Sequence, residues 1–359
     1  MTRPDSANDR IAEARERLRA FWSGGSIGRP AVGIRVARPG FQPLPWTGPE
    51  LTPKQRDLSP EWHAHINGNA LDGTLFFGEA LPRTDLCVGS NLILPGILAG
   101  ADYEYEGSAW LKPVPGFWER PRTPFDARHP FLQGLLHIQT RLAQLARRQA
   151  YLNLPALLDP LTTLAALVGA EALCFDLLER PEDVRAAVEW LADLYVETYE
   201  LFYRQACDLG FGETGTWLAA TAPGRMEVAQ CDFGVMLSPA QFEQFALPEL
   251  RRISEYLDYS LYHLDGTCQT RFLDLLATLP KLNGIQWNPE PAAGSPEAWI
   301  DTFRQIRSRG WRLHVWCNPD EAVAITRALG PDGLFLDLSS HCQTPADAEE
   351  AIRRIASAC

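Results

Sequence analysis

Cysteine is scarce in this 359-residue chain: eight residues, with no CxxC pair and no regular spacing. That excludes a disulfide framework and suits a reducing compartment, so each thiol is available as a metal ligand or as an ordinary core residue. Long apolar runs are missing too. No stretch of about 18 apolar residues occurs, and the opening MTRPDSANDRIAEARERLRAF lacks the continuous apolar core of a signal peptide. Both absences lead to the expectation of a soluble, cytoplasmic protein with no membrane partner. Positive charge is the third shortage. Lys and Arg number 33 against 45 Asp and Glu, and the net charge of −12 is the wrong sign for a nucleic-acid partner. The arginine-rich stretches RIAEARERLRAF and RRISEYL mix acids and apolar residues at helical spacing and read as solvated helix faces. Neither GxGxxG after the first strand nor GxxxxGK[ST] is present, so neither nucleotide fingerprint is supported.

What is there suits a folded enzyme. Apolar residues make up 46 % and charged residues 22 %, an ordinary globular balance, and the length fits one large α/β barrel or two medium domains. Ile11, Ala14, Leu18, Phe21 and Trp22 mark a helix over 10–22, stopped by Gly24-Gly25 before AVGIRV, the first strand. Residues from about 37 to 130 are rich in Pro, Gly and Trp and read as long loops and short elements covering one end. From about 131 helical and strand patterns alternate to the C-terminus, with a break at Arg180-Pro181. Strands are predicted from about 31, 151, 213, 259, 282, 312 and 333, and the missing eighth is sought in LCVGSNLIL at 86–94. Strands alternating with helices imply right-handed βαβ units and a parallel sheet. The expectation is a single domain over 1–359, an α/β (β/α)8 TIM barrel with an N-terminal helical and irregular extension. Its active site would lie at the C-terminal ends of the strands.

Those ends carry Trp217 after GETGT, His263 and Asp265 after YSLY, Gln286 and Trp287 after LNGI, Trp316 and Cys317 after RLHV, and His341 and Cys342 after GLFLDLSS. On one barrel mouth, two His and two Cys converge. Zinc takes four ligands drawn from thiolate, imidazole and carboxylate, and a catalytic zinc keeps one position open. His263, Cys317 and Cys342 would supply three from three strands, with Asp265 on the same side as His263 because the side-chain period is two. The bland alternatives stay open: a strand-end Cys is most often a small core residue, Asp265 can form an Asx turn with Gly266, and His341-Cys342 can cap the last helix. Trp217, Trp287 and Trp316, with Gln286, line either a pocket for a small-molecule substrate or the core. Asp232 in the loop QCDF is a general base, a substrate anchor or a helix cap.

From about residue 150 onward the chain resembles the uroporphyrinogen decarboxylase superfamily, (β/α)8 barrels that include the zinc-dependent corrinoid:thiol methyltransferases. The likeness is carried by LPALLDPLTTLAALVGAEALCFDLLERPEDV, by FEQFALPELRRISEYLDYSLYHLDG and by DLSSHCQTPADAEEAI. The first strand holds only Arg35 and Arg38 in place of the arginine-rich segment of the true decarboxylases, so uroporphyrinogen is not the expected substrate. In the methyltransferase branch the metal ligands are the His and Cys of His-x-Cys and a Cys before Thr-Pro in the last loop. Here those positions are His263, Asp265 and Cys342, with a carboxylate replacing one thiolate and only Gln343 before Thr344-Pro345. Cys317 is the residue that would restore the missing sulfur.

The resemblance implies zinc-assisted transfer of a methyl group between a corrinoid protein, or another methyl donor, and a thiol acceptor. It also implies a homodimer, the superfamily's frequent state. No Asp-x-His-x-x-Gly corrinoid segment occurs, so a corrinoid would arrive on a partner. Two other readings keep the barrel: a cofactor-independent decarboxylase or lyase using Asp232 or Asp265 with His263 or His341 on a small acid, and a non-catalytic barrel whose Trp residues grip an apolar molecule.

Overall fold

Short apolar runs bounded by Gly and Pro become the strands of the computed structural model, which describes residues 7–86, 92–147 and 150–359. In chain order these are β1 Ala31–Ala37, β2 Thr74–Gly78, β3 Arg83–Thr84, β4 Tyr103–Glu106, β5 Ser108–Leu111, β6 Tyr151–Asn153, β7 Glu213–Gly215, β8 Thr221–Pro223, β9 Met226–Gln230, β10 Tyr259–Asp265, β11 Gly284–Asn288, β12 Arg312–Trp316 and β13 Leu334–Asp337. The helices between them start where the sequence caps them. Asp159, Asn318 and Thr344 each accept a backbone N–H of the first turn, and each is followed by Pro at the first helical position.

Seven strands form one sheet in the order β2-β1-β13-β12-β11-β10-β9, parallel throughout except for β2 against β1. β3, β6 and β7 form a second parallel group, edged by antiparallel β8. Among the described residues the two ladders do not join into one closed ring, which is a difference from the expected barrel. LCVGSNLIL lies largely outside the described residues. Part of the missing count is met elsewhere, because MEVAQ, which the sequence reading assigns to no strand, is β9. Its buried Glu227 breaks the apolar pattern that would have marked it.

Period-two alternation sorts the parallel strands into two cores. Val32, Ile34, Tyr262, Leu264, Leu334 and Leu336 pack outward among the helices. Ala31, Val228, Leu261 and Phe335 face inward with Phe21 and Trp22 of the helix Ala7–Trp22. Inward positions line up across the sheet as Gln230, His263, Gln286, His314, Phe335 and Ala31. One step toward the C-terminal ends, Asp265 pairs with Asn288 and Trp316 with Asp337. The polar inner layer therefore follows from register alone.

Close strand approach depends on Gly284, where an added Cβ would sit 2.2 Å from the Arg312 carbonyl oxygen. Gly284→Ala is expected to cost about 1–3 kcal/mol, read as a lower thermal midpoint by circular dichroism. An unchanged midpoint would contradict the β11–β12 register. No single helix among the described residues is long and apolar enough to cross a membrane.

Candidate functional site

His263 is the pivot of the inner layer. Its Nδ1 meets Gln286 Oε1 on the neighbouring strand, and Gln286 is itself fixed by donating its Nε2 to the Trp287 carbonyl oxygen at 3.0 Å. With the amide so oriented, Nδ1 carries the imidazole proton and Nε2 presents its lone pair toward the mouth. Asn288 Nδ2 lies 3.4 Å from that Nε2 and donates to Asp265 Oδ1 at 2.8 Å. Asp265 Oδ1 is 3.8 Å from His263 Nε2. Asp232, at the start of the short turn Asp232–Met236, completes the group: one ligand atom of each of Asp232, His263 and Asp265 lies within 4.8 Å of the other two.

Above the imidazole stands an aromatic wall. Trp217 meets the His263 ring edge-on at 5.3 Å, and Trp316 lies 5.7 Å from Trp217. The loop carrying Trp217 is held by Arg83 Nη1, which donates to the carbonyls of Thr216, Trp217 and Leu218, and by Asn153 Nδ2 on Thr216. A residue of β3 and one of β6 thus position a side chain over β10.

Burial shapes the electrostatics. It pushes the Asp232 carboxyl up from its ordinary range; His263 opposes that shift and Asp265 adds to it. Asp232 Oδ1 has no hydrogen-bond partner among the described residues. His314, fully buried and stacked on Phe335 at 4.9 Å, is pushed down to about 4 by burial, so it is neutral at pH 7. Arg35 reaches from β1 toward Ser339 Oγ at 3.3 Å and Asp337 at 3.9 Å, a cation facing the acidic side.

The structure gathers only part of the expected residue set. His263, Asp265, Asp232, Trp217 and Gln286 come together, and Trp316 borders them. Cys317 and Cys342 do not join His263: among the described residues, neither belongs to any group of three candidate ligand atoms within 4.8 Å of one another. Both thiols are buried in the outer core, and burial pushes them up. Strand phase explains Cys317, which follows the inward-facing phase of His314 and Trp316 and so turns outward. The same alternation turns Trp287 away from the mouth, onto Trp299 and Phe303 at 5.2 Å each. His341 is exposed in the last loop and belongs to no such group among the described residues. Asn288 escaped the sequence reading, although its spacing of two from Gln286 places it on the same face.

No family model matches the chain, and no curated protein matches it in sequence. Among solved structures it is similar to a methyltransferase from Methanosarcina mazei, with a TM-score of 0.62 and 15 % identity over 96 % of this chain and 98 % of that one. At that identity the likeness is one of fold, and it runs nearly end to end in both chains.

Proposed function

We propose that the chain is a methyltransferase-like enzyme, that its two strand arcs are parts of one (β/α)8-type barrel, and that a divalent metal, zinc in the first place, is held by His263, Asp232 and Asp265. The observation that carries this reading is the convergence of three ligand atoms within 4.8 Å on an imidazole whose far nitrogen is already held. A metal-bound His that donates its other N–H to a carbonyl group is the usual way such a ligand is aimed. The donor set fits a borderline or hard cation, being one nitrogen and two carboxylates, and it leaves room for a further ligand.

When bound, zinc would lower the pKa of a thiol acceptor and hold it as thiolate near neutral pH. The chain's own residues do the rest. Gln286 fixes the tautomer of His263, Asn288 holds the Asp265 carboxylate beside it, and Trp217 and Trp316 keep water from one side of the centre. The donor proposed is a methyl-corrinoid brought by a partner protein, or another small methyl donor, and the acceptor a small thiol.

Zinc-loaded protein mixed with methylcobalamin and a simple alkanethiol tests the reading through the visible spectrum of the corrinoid. Thiol-dependent and protein-dependent demethylation is expected. A rate equal to the protein-free background, with metal bound, would count against methyl transfer from a corrinoid. A second reading is favoured by the unpartnered, upshifted Asp232: acid–base chemistry on a small acid, with Arg35 as the carboxylate anchor. Turnover of such an acid by metal-free protein would select it.

A further inference from the structure

Behind the mouth, on the outer side of the wall, lies a second cluster with different chemistry. Asp159, Cys231 and Glu249 are 1 %, 0 % and 2 % exposed, and one ligand atom of each lies within 4.8 Å of the other two. Asp159 caps the helix Pro160–Val168, accepting Thr162 N–H at 2.8 Å and Asp232 N–H at 3.4 Å. Glu249 is the odd member. Neither of its carboxylate oxygens has a side-chain partner among the described residues, and the donor acting on it is the backbone N–H of Leu161 in the first turn of that helix.

Buried acids in proteins are ordinarily paired with a cation, and this chain does so elsewhere. Glu79, 1 % exposed, accepts Arg29 in two bonds of 2.7 and 2.9 Å and the Val32 N–H at 2.6 Å. At the second cluster the groups acting on one another are acids: Asp232 on Asp159, Asp159 on Glu249, and both carboxylates on the thiol. No Lys, Arg or His is among them. A single divalent ion would neutralise the Glu249 carboxylate, which no cation meets, together with the thiol and the Asp159 carboxylate.

We infer that Asp159, Cys231 and Glu249 form a second, buried site for a borderline-soft divalent cation of the zinc type, separate from the mouth. Thiolate with carboxylate is a donor set that zinc accepts and that calcium or magnesium does not favour. Glu249 lines an outer cleft of about 460 Å³ together with Arg185, Glu189, Gln244, Phe245 and Pro248. It also lies just beyond the π-helical turn Phe242–Ala246, an element that recurs at functional sites. The inference stands independently of the methyltransferase reading.

Cobalt separates the two sites, because the mouth set contains no sulfur. Full-length protein depleted of metal and reloaded with Co²⁺ is expected to show a sulfur-to-cobalt charge-transfer band in the near ultraviolet. The band should persist in His263→Ala and vanish in both Cys231→Ser and Glu249→Gln, each losing one equivalent of bound cobalt. Glu249→Gln keeps the side-chain volume, so it carries the test if Cys231→Ser does not fold. No charge-transfer band in folded wild type would overturn the inference. So would a band that survives both variants; its loss in Cys342→Ser would place the thiolate in the last loop instead.

Discussion

His263→Ala is expected to remove one equivalent of metal from the protein and to lower turnover by about 10²–10⁴-fold, with little change in the far-ultraviolet circular dichroism. The expectation follows from where the side chain sits. His263 is inward on β10, holds Gln286 through Nδ1, and presents Nε2 to Asp232 and Asp265. Removing the ring takes away the only nitrogen of the set and leaves two carboxylates, Asp265 still held by Asn288, with no imidazole between them. Gln286→Leu should give a smaller loss, about 10–100-fold, because the ring remains but its tautomer is no longer held. That variant should also shift the pH profile of turnover, which a purely structural role for Gln286 would not do. If Gln286→Leu matches wild type in rate and profile, the Nδ1 contact is not what aims the imidazole.

Glu227→Gln is expected to make protein stability less dependent on pH on the alkaline side than it is in wild type. Glu227 is buried on β9, its Oε1 accepts the Val228 N–H at 2.7 Å, and burial pushes its carboxyl from the ordinary 4.5 up to about 8. Between those values the folded protein keeps a proton that the unfolded chain has released. Stability from this group is therefore complete below the unfolded value and is lost as pH rises toward 8, at about 1.4 kcal/mol per pH unit. His314 works in the opposite direction. Its pKa falls from 6.5 to about 4, so the unfolded chain binds the extra proton and stability is lost as pH falls through that window. The slopes of Glu227 and His314 oppose each other where the windows overlap; above pH 6.5 His314 drops out, and Glu227 acts together with the other acids that burial pushes up, Asp159 and Glu249. Urea unfolding should then show wild type losing about 2 kcal/mol more than Glu227→Gln between pH 6.5 and 8. Equal losses in both proteins would mean that the Glu227 carboxyl is already ionised in the fold.

Glu227 is also instructive about what the amino-acid order conceals. The stretch YSLYHLD is a short, mostly apolar run that stops at Gly266, and it is β10 over the same seven residues. MEVAQ carries an acid at an interior position, so its strand was hidden by the very residue that burial turns neutral. The phase of β11 decides between neighbours in the same way: Gln286 and Asn288 face His263, while Trp287 joins the outer core, and sequence position alone weighted the two tryptophan and glutamine positions alike. Cys317 and Cys342 were attractive as thiols at strand ends, yet both are turned into the outer core. Asp159 and Glu249 could not be paired in advance, being 90 residues apart and joined only by the packing of the helices Pro160–Val168 and Leu247–Tyr256 beside Cys231. Local alternation is legible in a sequence; the meeting of distant helices is not.

His263, Asp232 and Asp265 are proposed to hold a metal. Elemental analysis of tag-free protein purified without chelator, wild type beside His263→Ala, tests it most directly. The expected result is a zinc-type divalent metal in wild type and one equivalent less in the variant, whatever the second cluster holds. Equal metal in the two proteins, or none in wild type, would contradict it and move His263, Asp232 and Asp265 to acid–base chemistry.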